Sequence, residues 1–244
     1  MTPAISFAIM HLQSVPERRA WAMALCREIQ KTAPCAIVKD IKGEIWDTSR
    51  RAWLSAARQG CSHLCVLQDD VVLCKDFVAG LVEAVKVRPE HPIGCWCQLN
   101  IQREARERGH SWFRVVGRVW GVCTLLPVAD ALDFIRWERL NVDWQDMRRD
   151  DSRLGLYLLT RDMDTWLTVP SLVEHAGEGQ STYLPGGGKQ FKALGTPRVA
   201  AVYTGESALD IDWSKGLENP LVNRNQANDL VKYSHLLRDG RHDR

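Results

Sequence analysis

The feature that most constrains the fold is the apolar run over residues 63–73, which two adjacent carboxylates, Asp69 and Asp70, interrupt. Its first half is rich in Val and Leu, as is typical of a buried parallel strand. Carboxylates at the end of such a strand lie in the crevice where open α/β sheets bind ligands. Because two buried carboxylates repel each other, they need a cation, and a divalent metal with a phosphate-bearing ligand would supply it. The alternative is a solvated Asp-Asp turn.

Predicted strands and helices alternate over the first hundred residues. This alternation indicates a parallel sheet with right-handed crossovers, of the nucleotide-binding type. Ser14 and Glu17 have the spacing of a capping box at the start of the first helix, and Thr48 is placed to cap the second. The predicted strands cover residues 5–10, 35–38, 63–73 and 93–97, and the predicted helices cover residues 14–32, 48–59 and 77–88.

The second half of the chain is less regular. We expect one domain over residues 1–222, with a nucleotide-binding-type half (1–100) and a less regular second half (101–222), and then a polar tail (223–244). Residues 186–189, Gly-Gly-Gly-Lys, lack the spacing of a P-loop and are interpreted as a loop. The predicted elements are strands over 119–126 and 166–169 and helices over 129–139, 152–160 and 230–237.

Composition excludes several classes of protein. The chain has 244 residues, 45% of them hydrophobic, and a net charge of +2, which suits an anionic ligand without requiring nucleic acid. We expect neither a signal peptide nor a membrane span, and therefore a soluble cytoplasmic protein. The eight cysteines are expected to be reduced and buried, as is usual in a cytosolic chain. The pairs Cys61/Cys65 and Cys95/Cys97 do not favour a zinc site, because the second cysteine of each pair falls on a predicted strand rather than on a zinc knuckle.

Three polar motifs follow one another along the chain: Gln68-Asp69-Asp70, Asp150-Asp151 and the segment Pro170–His175. Together with Ala52-Trp53 and Val119-Trp120-Gly121, they resemble the glycosyltransferases of the GT-A type, notably small bacterial and phage enzymes with a QDD or EDD form of the DxD motif. The resemblance runs from Ile5 to about Trp213. It implies a GT-A-like, Rossmann-like, mostly parallel sheet flanked by helices. It also implies transfer of a sugar, with inversion, from a nucleotide-sugar donor (a UDP-sugar is expected) to an acceptor hydroxyl.

The resemblance also implies roles for individual residues. Asp70, Asp69 and His175 would hold Mn²⁺ or Mg²⁺, which neutralises the diphosphate leaving group. Asp151 would be the base that activates the acceptor, and Asp150 would bind donor or acceptor. Gln68 departs from a strict DxD motif because it adds no charge. Arg18, Arg19 or Arg51 could reach the diphosphate, and the expected donor-binding residues are His11, Arg19, Asp40, Arg51, Gln68, Asp69, Trp120 and Gly121.

Simpler interpretations remain open at this stage. His175 could be a hydrogen-bonded surface residue, and the Asp150-Asp151 pair could serve only to complement a helix dipole. A metal-dependent nuclease or phosphotransferase would also use an Asp cluster. A non-catalytic nucleic-acid-binding protein could use the basic, aromatic segment 103–118, although Glu104 and Glu107 interrupt it. The acceptor could be a saccharide, a protein side chain or a hydroxymethylated base in phage DNA.

Overall fold

One large sheet runs through both halves of the chain. The computed structural model describes residues 2–13, 15–57, 60–142, 150–176 and 199–224. The strands are β1 Ile5–His11, β2 Cys35–Lys39, β3 His63–Gln68, β4 Val71–Leu73, β5 Ile93–Gly94, β6 Trp112–Val116, β7 Cys123–Pro127, β8 Asp164–Thr168, β9 Val173–His175 and β10 Leu221–Asn223. The helices are α1 Pro16–Gln30, α2 Ile45–Ala56, α3 Phe77–Val87, α4 Ile101–Glu107, α5 Val128–Asn141 and α6 Asp150–Thr160, with a short 3₁₀ helix at Ala208–Asp210.

The sheet is mixed but mostly parallel. Its eight described strands lie in the order β10-β6-β8-β5-β7-β3-β1-β2, and β4 pairs with β9 in a separate two-stranded sheet. Strands β1, β2, β3, β5 and β8 share one direction, whereas β6, β7 and β10 run the opposite way. The predicted α/β class is confirmed: the sheet is flanked by helices, in a Rossmann-like arrangement.

Helices cover both faces of the sheet. Successive side chains of a strand point to opposite faces: Phe7 and Ile9 of β1 pack in one hydrophobic core, and Ala8 and Met10 pack in another. The first core includes residues of α1 and α3, and the second includes residues of α2, α5 and α6. The strands are therefore buried on both sides, which is why their sequences are nearly continuous apolar runs.

The topology points to the carboxyl ends of β1 and β3 as the place where a ligand would bind. The chain leaves β1 through α1 towards β2 on one side, and it leaves β3 towards β5 on the other. Adjacent parallel strands whose connections diverge in this way leave an opening at their carboxyl ends, where open α/β sheets bind ligands. The residues at this opening are His11, Gln68, Asp69 and Asp70.

Several predicted boundaries were wrong. The apolar run 63–73 is two strands, because Asp69 and Asp70 form a turn between β3 and β4. Thr48 lies inside α2, which begins at Ile45. The predicted strand 93–97 ends at Gly94, and the predicted strand 119–126 begins at Cys123, so Trp120 and Gly121 lie in the preceding loop.

Other sequence predictions fall outside the described residues. Ser14, the loop at 186–189 and the helix over 230–237 are among them, while α1 itself begins after Val15 with no side-chain cap from that residue. The predicted start of the tail, residue 223, falls on the last residue of β10. No helix in the described ranges is long and apolar enough to cross a bilayer.

Candidate functional site

The guanidinium group of Arg18 joins the two carboxylates of the Asp-Asp turn. Its Nη1 donates to Asp69 Oδ1 at 2.8 Å, and its Nη2 donates to Asp70 Oδ2 at 2.5 Å. All three side chains are buried. A planar guanidinium can donate to two carboxylates at once, which a single ammonium group does less well. The cation that the buried pair requires is thus supplied, at least in part, by the first turn of α1.

Asp69 is held on its other oxygen by the end of β1. Its Oδ2 lies 2.7 Å from His11 Nδ1 and accepts a hydrogen bond from the backbone N–H of Leu12 at 2.9 Å. Both oxygens of Asp69 therefore have partners in the protein. This arrangement fits a carboxylate that positions Arg18 and the β1 terminus, and it leaves Asp69 poorly suited to the metal-ligand role that the resemblance implies.

The same turn gives its two carboxyl groups different pKa values. Burial raises the pKa of Asp69, against the opposing effects of Arg18 and His11. Burial also acts to raise the pKa of Asp70, but the interaction with His175 and the charge of Arg18 outweigh it and lower that pKa. Asp70 is therefore a carboxylate at neutral pH.

The small sheet formed by β4 and β9 brings His175 to Asp70. Val71 pairs with His175, and the N–H of Ala176 donates to the backbone oxygen of Asp70 at 2.7 Å. The Nδ1 atom of His175 lies 3.7 Å from Asp70 Oδ2. His175 is 8% exposed, so it is not the solvated surface residue of the simpler interpretation.

Two polar atoms on these neighbouring side chains are buried and have no hydrogen-bond partner among the described residues: Asp70 Oδ1 and His175 Nε2. Buried polar atoms normally have partners, so an unpaired carboxylate oxygen and an unpaired imidazole nitrogen on adjacent side chains suggest a ligand. An oxygen and an imidazole nitrogen also suit a divalent transition metal.

Of the three metal ligands expected from the resemblance, only Asp70 and His175 have an atom that the rest of the described chain leaves free for a metal ion. Among the described residues, no group of three or more His, Cys, Asp or Glu side chains is placed to hold a metal ion. Mg²⁺ and similar ions are nevertheless often held by one or two protein groups together with substrate phosphates and water. Asp70 and His175 fit that kind of site, and Asp69 does not.

Two tryptophan rings pack beside His175, one behind the other. The Trp96 ring lies edge-on to His175 at 5.2 Å and to Trp120 at 6.4 Å between ring centroids. Trp96 follows the end of β5, and its Nε1 donates to Glu174 at 3.2 Å. Trp120 is 2% exposed, and the guanidinium of Arg118 lies 4.9 Å from its ring centroid.

The Asp150-Asp151 pair forms the first turn of α6 and faces the loop before β7. A Cβ atom at Gly121 would lie 3.2 Å from Asp150 Oδ2, so glycine at this position leaves room for the carboxylate. Asp150 also hydrogen-bonds to Ser49 of α2, and the two residues line a small cavity with Trp53, Gly121 and Thr124. Since Val122 O accepts from Gln68 N at 3.0 Å, this loop lies at the same sheet edge as the Asp69-Asp70 turn.

Desolvation and the charge of Asp151 raise the pKa of Asp150 to about 7. A buried carboxyl group with a neighbouring carboxylate behaves in this way because each negative charge disfavours the other. A carboxyl group that titrates near neutral pH can accept a proton from a substrate and release it again. The raised pKa is compatible with a role in proton transfer, in addition to the position of both residues in the first turn of α6.

The remaining predicted donor-binding residues are less closely grouped. Asp40 lies beside the end of β1, where its N–H donates to His11 O, and its carboxylate accepts from the N–H groups of Lys42 and Gly43. Arg51 donates to Asp47 and to the backbone oxygen of Lys39. Arg19 is exposed on α1, whereas Gln68 is partly buried at the end of β3.

The segment 103–118 does not form the basic, aromatic surface considered from the sequence. Trp112 and Phe113 are completely buried, so neither ring can stack on a nucleic-acid base or a sugar. Arg108 pairs with Glu104, and Arg114 pairs with Asp164. The segment is divided between α4 and β6, and much of it serves the fold.

Two residues of the site were missed or misplaced in the sequence analysis. Arg18 was considered as a residue that could contact a diphosphate, but in the structure its guanidinium donates hydrogen bonds to Asp69 and Asp70. Trp96 was not considered. Both occupy positions that the topology explains, since Arg18 begins the helix after β1 and Trp96 follows β5, so each lies at the carboxyl edge of the sheet.

No protein-family model matches the chain, and no curated protein sequence matches it. Among solved structures, the chain is similar to the crystal structure of A197 from STIV, with a TM-score of 0.43 and 13% sequence identity. The match covers 70% of this chain and 85% of that one. A similarity at this level assigns neither a family nor an activity.

Replacing Arg18 with Met should destabilise the protein strongly. The substitution leaves two buried carboxylates without their cation, and breaking such a pair costs about 3–5 kcal/mol. The loss should shrink as the pH falls, because protonation removes the uncompensated charges. Urea unfolding at pH 5 and pH 8 measures both effects. The matched control is Arg19→Met, on the exposed neighbour, with an expected change within about 0.5 kcal/mol; equal losses for the two variants would contradict the role of Arg18.

Asp150→Asn should remove a pH dependence of stability. A carboxyl group whose folded pKa lies above its unfolded value holds its proton more tightly in the folded state, so the wild type loses stability as the pH rises from about 4, the unfolded pKa, to about 7, the folded one. Asn resembles the neutral acid at every pH. The melting temperature of the variant should therefore exceed that of the wild type by an amount that grows between pH 4 and pH 7 and stays constant above pH 7. Asp151→Asn should keep the dependence but move it to lower pH. Parallel curves for wild type and Asp150→Asn would show that Asp150 does not titrate near neutrality.

Proposed function

We propose that the protein is a glycosyltransferase that moves a sugar from a nucleotide-sugar donor to an acceptor hydroxyl with the help of a divalent metal ion. The observation that carries this proposal is the pair of unpartnered buried atoms, Asp70 Oδ1 and His175 Nε2, in the crevice between β1 and β3. A nucleotide bound at such a crevice places its phosphates over the strand ends. The GT-A resemblance of the Gln68-Asp69-Asp70 motif supports the same assignment.

Asp70 and His175 would hold the metal ion, which is expected to be Mn²⁺ or Mg²⁺. When bound, the ion supplies a Lewis acid that neutralises the charge of the departing diphosphate. Asp69 and Arg18 orient Asp70, because Arg18 fixes one of its oxygens and leaves the other unpaired. Burial of the cluster excludes water and strengthens these electrostatic interactions.

The nucleoside part of the donor is placed by the ends of β1 and β2. His11 ends β1, and Asp40, which directly follows β2, donates its N–H to His11 O; Gln68 ends the neighbouring strand β3. Gln68 can hydrogen-bond a ribose hydroxyl but contributes no charge. A UDP-sugar remains the expected donor, in line with the GT-A resemblance.

For the acceptor, we infer that Asp150 is the base and that Asp151 keeps its pKa high. This reverses the order of preference within the pair that the sequence analysis gave. A base works best when its pKa lies near the working pH, and the pKa of Asp150 is about 7. A carboxylate that takes the proton from the attacking hydroxyl, while the diphosphate leaves on the opposite face, corresponds to inversion at the anomeric carbon.

A nucleic-acid-binding function has less support. The aromatic residues that would stack on bases, Trp112 and Phe113, are buried, and the arginines 108 and 114 are paired with carboxylates. Proteins that bind single strands need exposed aromatic rings in a positively charged groove. The saccharide and protein classes of acceptor are therefore favoured over a nucleic acid.

Thermal stabilisation by a panel of nucleotide-sugars with Mn²⁺ tests the proposal. At 100 times the dissociation constant, a bound donor stabilises the fold by about 2.7 kcal/mol, which corresponds to a rise of about 5–10 °C for a domain of this size. EDTA should abolish the rise for the correct donor. Asp70→Asn should abolish it too, whereas Asp210→Asn, on an exposed carboxylate, should not. If no nucleotide-sugar raises the melting temperature, the protein is not a glycosyltransferase of this type.

Rates measured with the correct donor test the base. Asp150→Asn should lower the rate of transfer by about 10²–10⁴-fold with little change in donor affinity, because a base acts in the transition state. The wild-type rate should rise with pH through about 7, as Asp150 ionises. Asp151→Asn should shift this rise to lower pH and lower the plateau less. A full rate in Asp150→Asn would return the role to Asp151, provided that Asp151→Asn is then inactive.

A further inference from the structure

Trp120 carries a buried donor that the fold does not use. Its side chain is 2% exposed, and its Nε1 has no hydrogen-bond partner among the described residues. An indole N–H can donate but cannot accept, so its partner must be an oxygen or another acceptor. Since a buried donor without a partner lowers stability, an unpaired one in a native fold calls for an explanation.

The position of Trp120 connects it to the metal-ligand pair. It lies in the loop before β7, at the sheet edge where β3 ends, and Trp96 contacts both its ring and the ring of His175. The loop therefore brings an N–H donor to the same edge as Asp70 Oδ1 and His175 Nε2. Asp70 Oδ1 and His175 Nε2 could bind a cation, whereas Trp120 Nε1 needs a hydrogen-bond acceptor. A single ligand that carries both a cation and an acceptor would therefore satisfy all three atoms.

The cation next to Trp120 favours a charged acceptor. The guanidinium of Arg118 lies over the indole ring, 4.9 Å from its centroid. A neutral sugar hydroxyl could accept from Trp120 but has no need of a cation beside it. Phosphoryl oxygens are acceptors, carry charge and match a guanidinium well.

We propose that Trp120 and Arg118 bind the terminal phosphoryl group of the nucleoside diphosphate that leaves the donor. The inference rests on the proposed function and goes beyond it, because it assigns the recognition of a diphosphate over a monophosphate to these two side chains. Trp120 donates from its Nε1 to a phosphoryl oxygen, and Arg118 compensates the charge. A metal ion held by Asp70 and His175 would share the neutralisation of that group with Arg118, a cation of the protein itself.

Calorimetric titration in the presence of Mn²⁺ tests the inference with paired ligands. The probes are the diphosphates and monophosphates of uridine, guanosine, adenosine, cytidine and thymidine. For the preferred base, the wild type should bind the diphosphate at least tenfold more tightly than the monophosphate. Trp120→Phe keeps the ring and removes the N–H, and Arg118→Gln removes the charge. Each should reduce this ratio about fivefold or more, through weaker binding of the diphosphate and unchanged binding of the monophosphate. Arg106→Gln, on an exposed arginine of α4, is the control and should keep the wild-type ratio.

The outcomes separate this inference from the proposed function. If the wild type binds nucleotides but both variants keep its preference for the diphosphate, the inference is wrong and the function stands. If the variants weaken the binding of the nucleotide-sugar and leave that of the diphosphate unchanged, Trp120 contacts the sugar and the inference is again wrong. If the wild type binds none of the nucleotides, both are wrong. Melting curves of each variant show whether Trp120→Phe folds, and Arg118→Gln tests the same point without altering the aromatic core.

Discussion

The bidentate contact of Arg18 with Asp69 and Asp70 is the interaction on which the candidate site depends. It connects the start of α1 to the turn between β3 and β4, across the opening between β1 and β3. The three groups are buried, so their charges interact in a medium much less polarisable than water. Such a cluster is costly to form unless each charge is matched, and it holds its members in one arrangement once it has formed. This cluster fixes the position of the Asp70 carboxylate, which in turn contacts the imidazole of His175.

The two acidic pairs of the site differ in what lies between their carboxyl groups. Asp69 and Asp70 share a guanidinium, and Asp70 is held ionised. Asp150 and Asp151 have no such cation in the contacts that determine the pKa of Asp150, so their repulsion raises that pKa to about 7. Opposite electrostatic environments thus give the same residue type a lowered pKa in one place and a raised pKa in the other, which is the difference that the proposed binding and proton-transfer roles require.

Much of the fold could be predicted from the sequence because its strands are covered on both faces. Strands β1, β2 and β3 are continuous apolar runs separated by helical patterns, and such runs are hard to mistake. Strand β5 was predicted too long, because Cys95, Trp96 and Cys97 are buried like strand residues although they leave the ladder. Pattern alone cannot separate burial from strand pairing.

The candidate site was harder to predict, for a related reason. Asp69, Asp70 and His11 lie at or next to predicted strand ends, so the expected topology was enough to assign them to a site. Arg18 was recognised as a charge, but its partners lie 51 and 52 residues along the chain, and no local pattern names them. Trp112 and Phe113 look like a stacking surface next to arginines, yet they fill the core, because an aromatic side chain in a sequence carries no mark of which way it points.

The reversed direction of β7 has a consequence for how a site of this kind can change. Because β7 runs against its neighbours, its beginning and not its end lies at the carboxyl edge of the sheet, and the loop 117–122 forms a wall of the crevice. That loop joins β6 to β7 without an intervening helix, so it is not part of any strand-helix-strand crossover. Residues can be exchanged or inserted there without changing the order of the strands. In related chains, the choice of substrate could therefore diverge while the architecture stays the same.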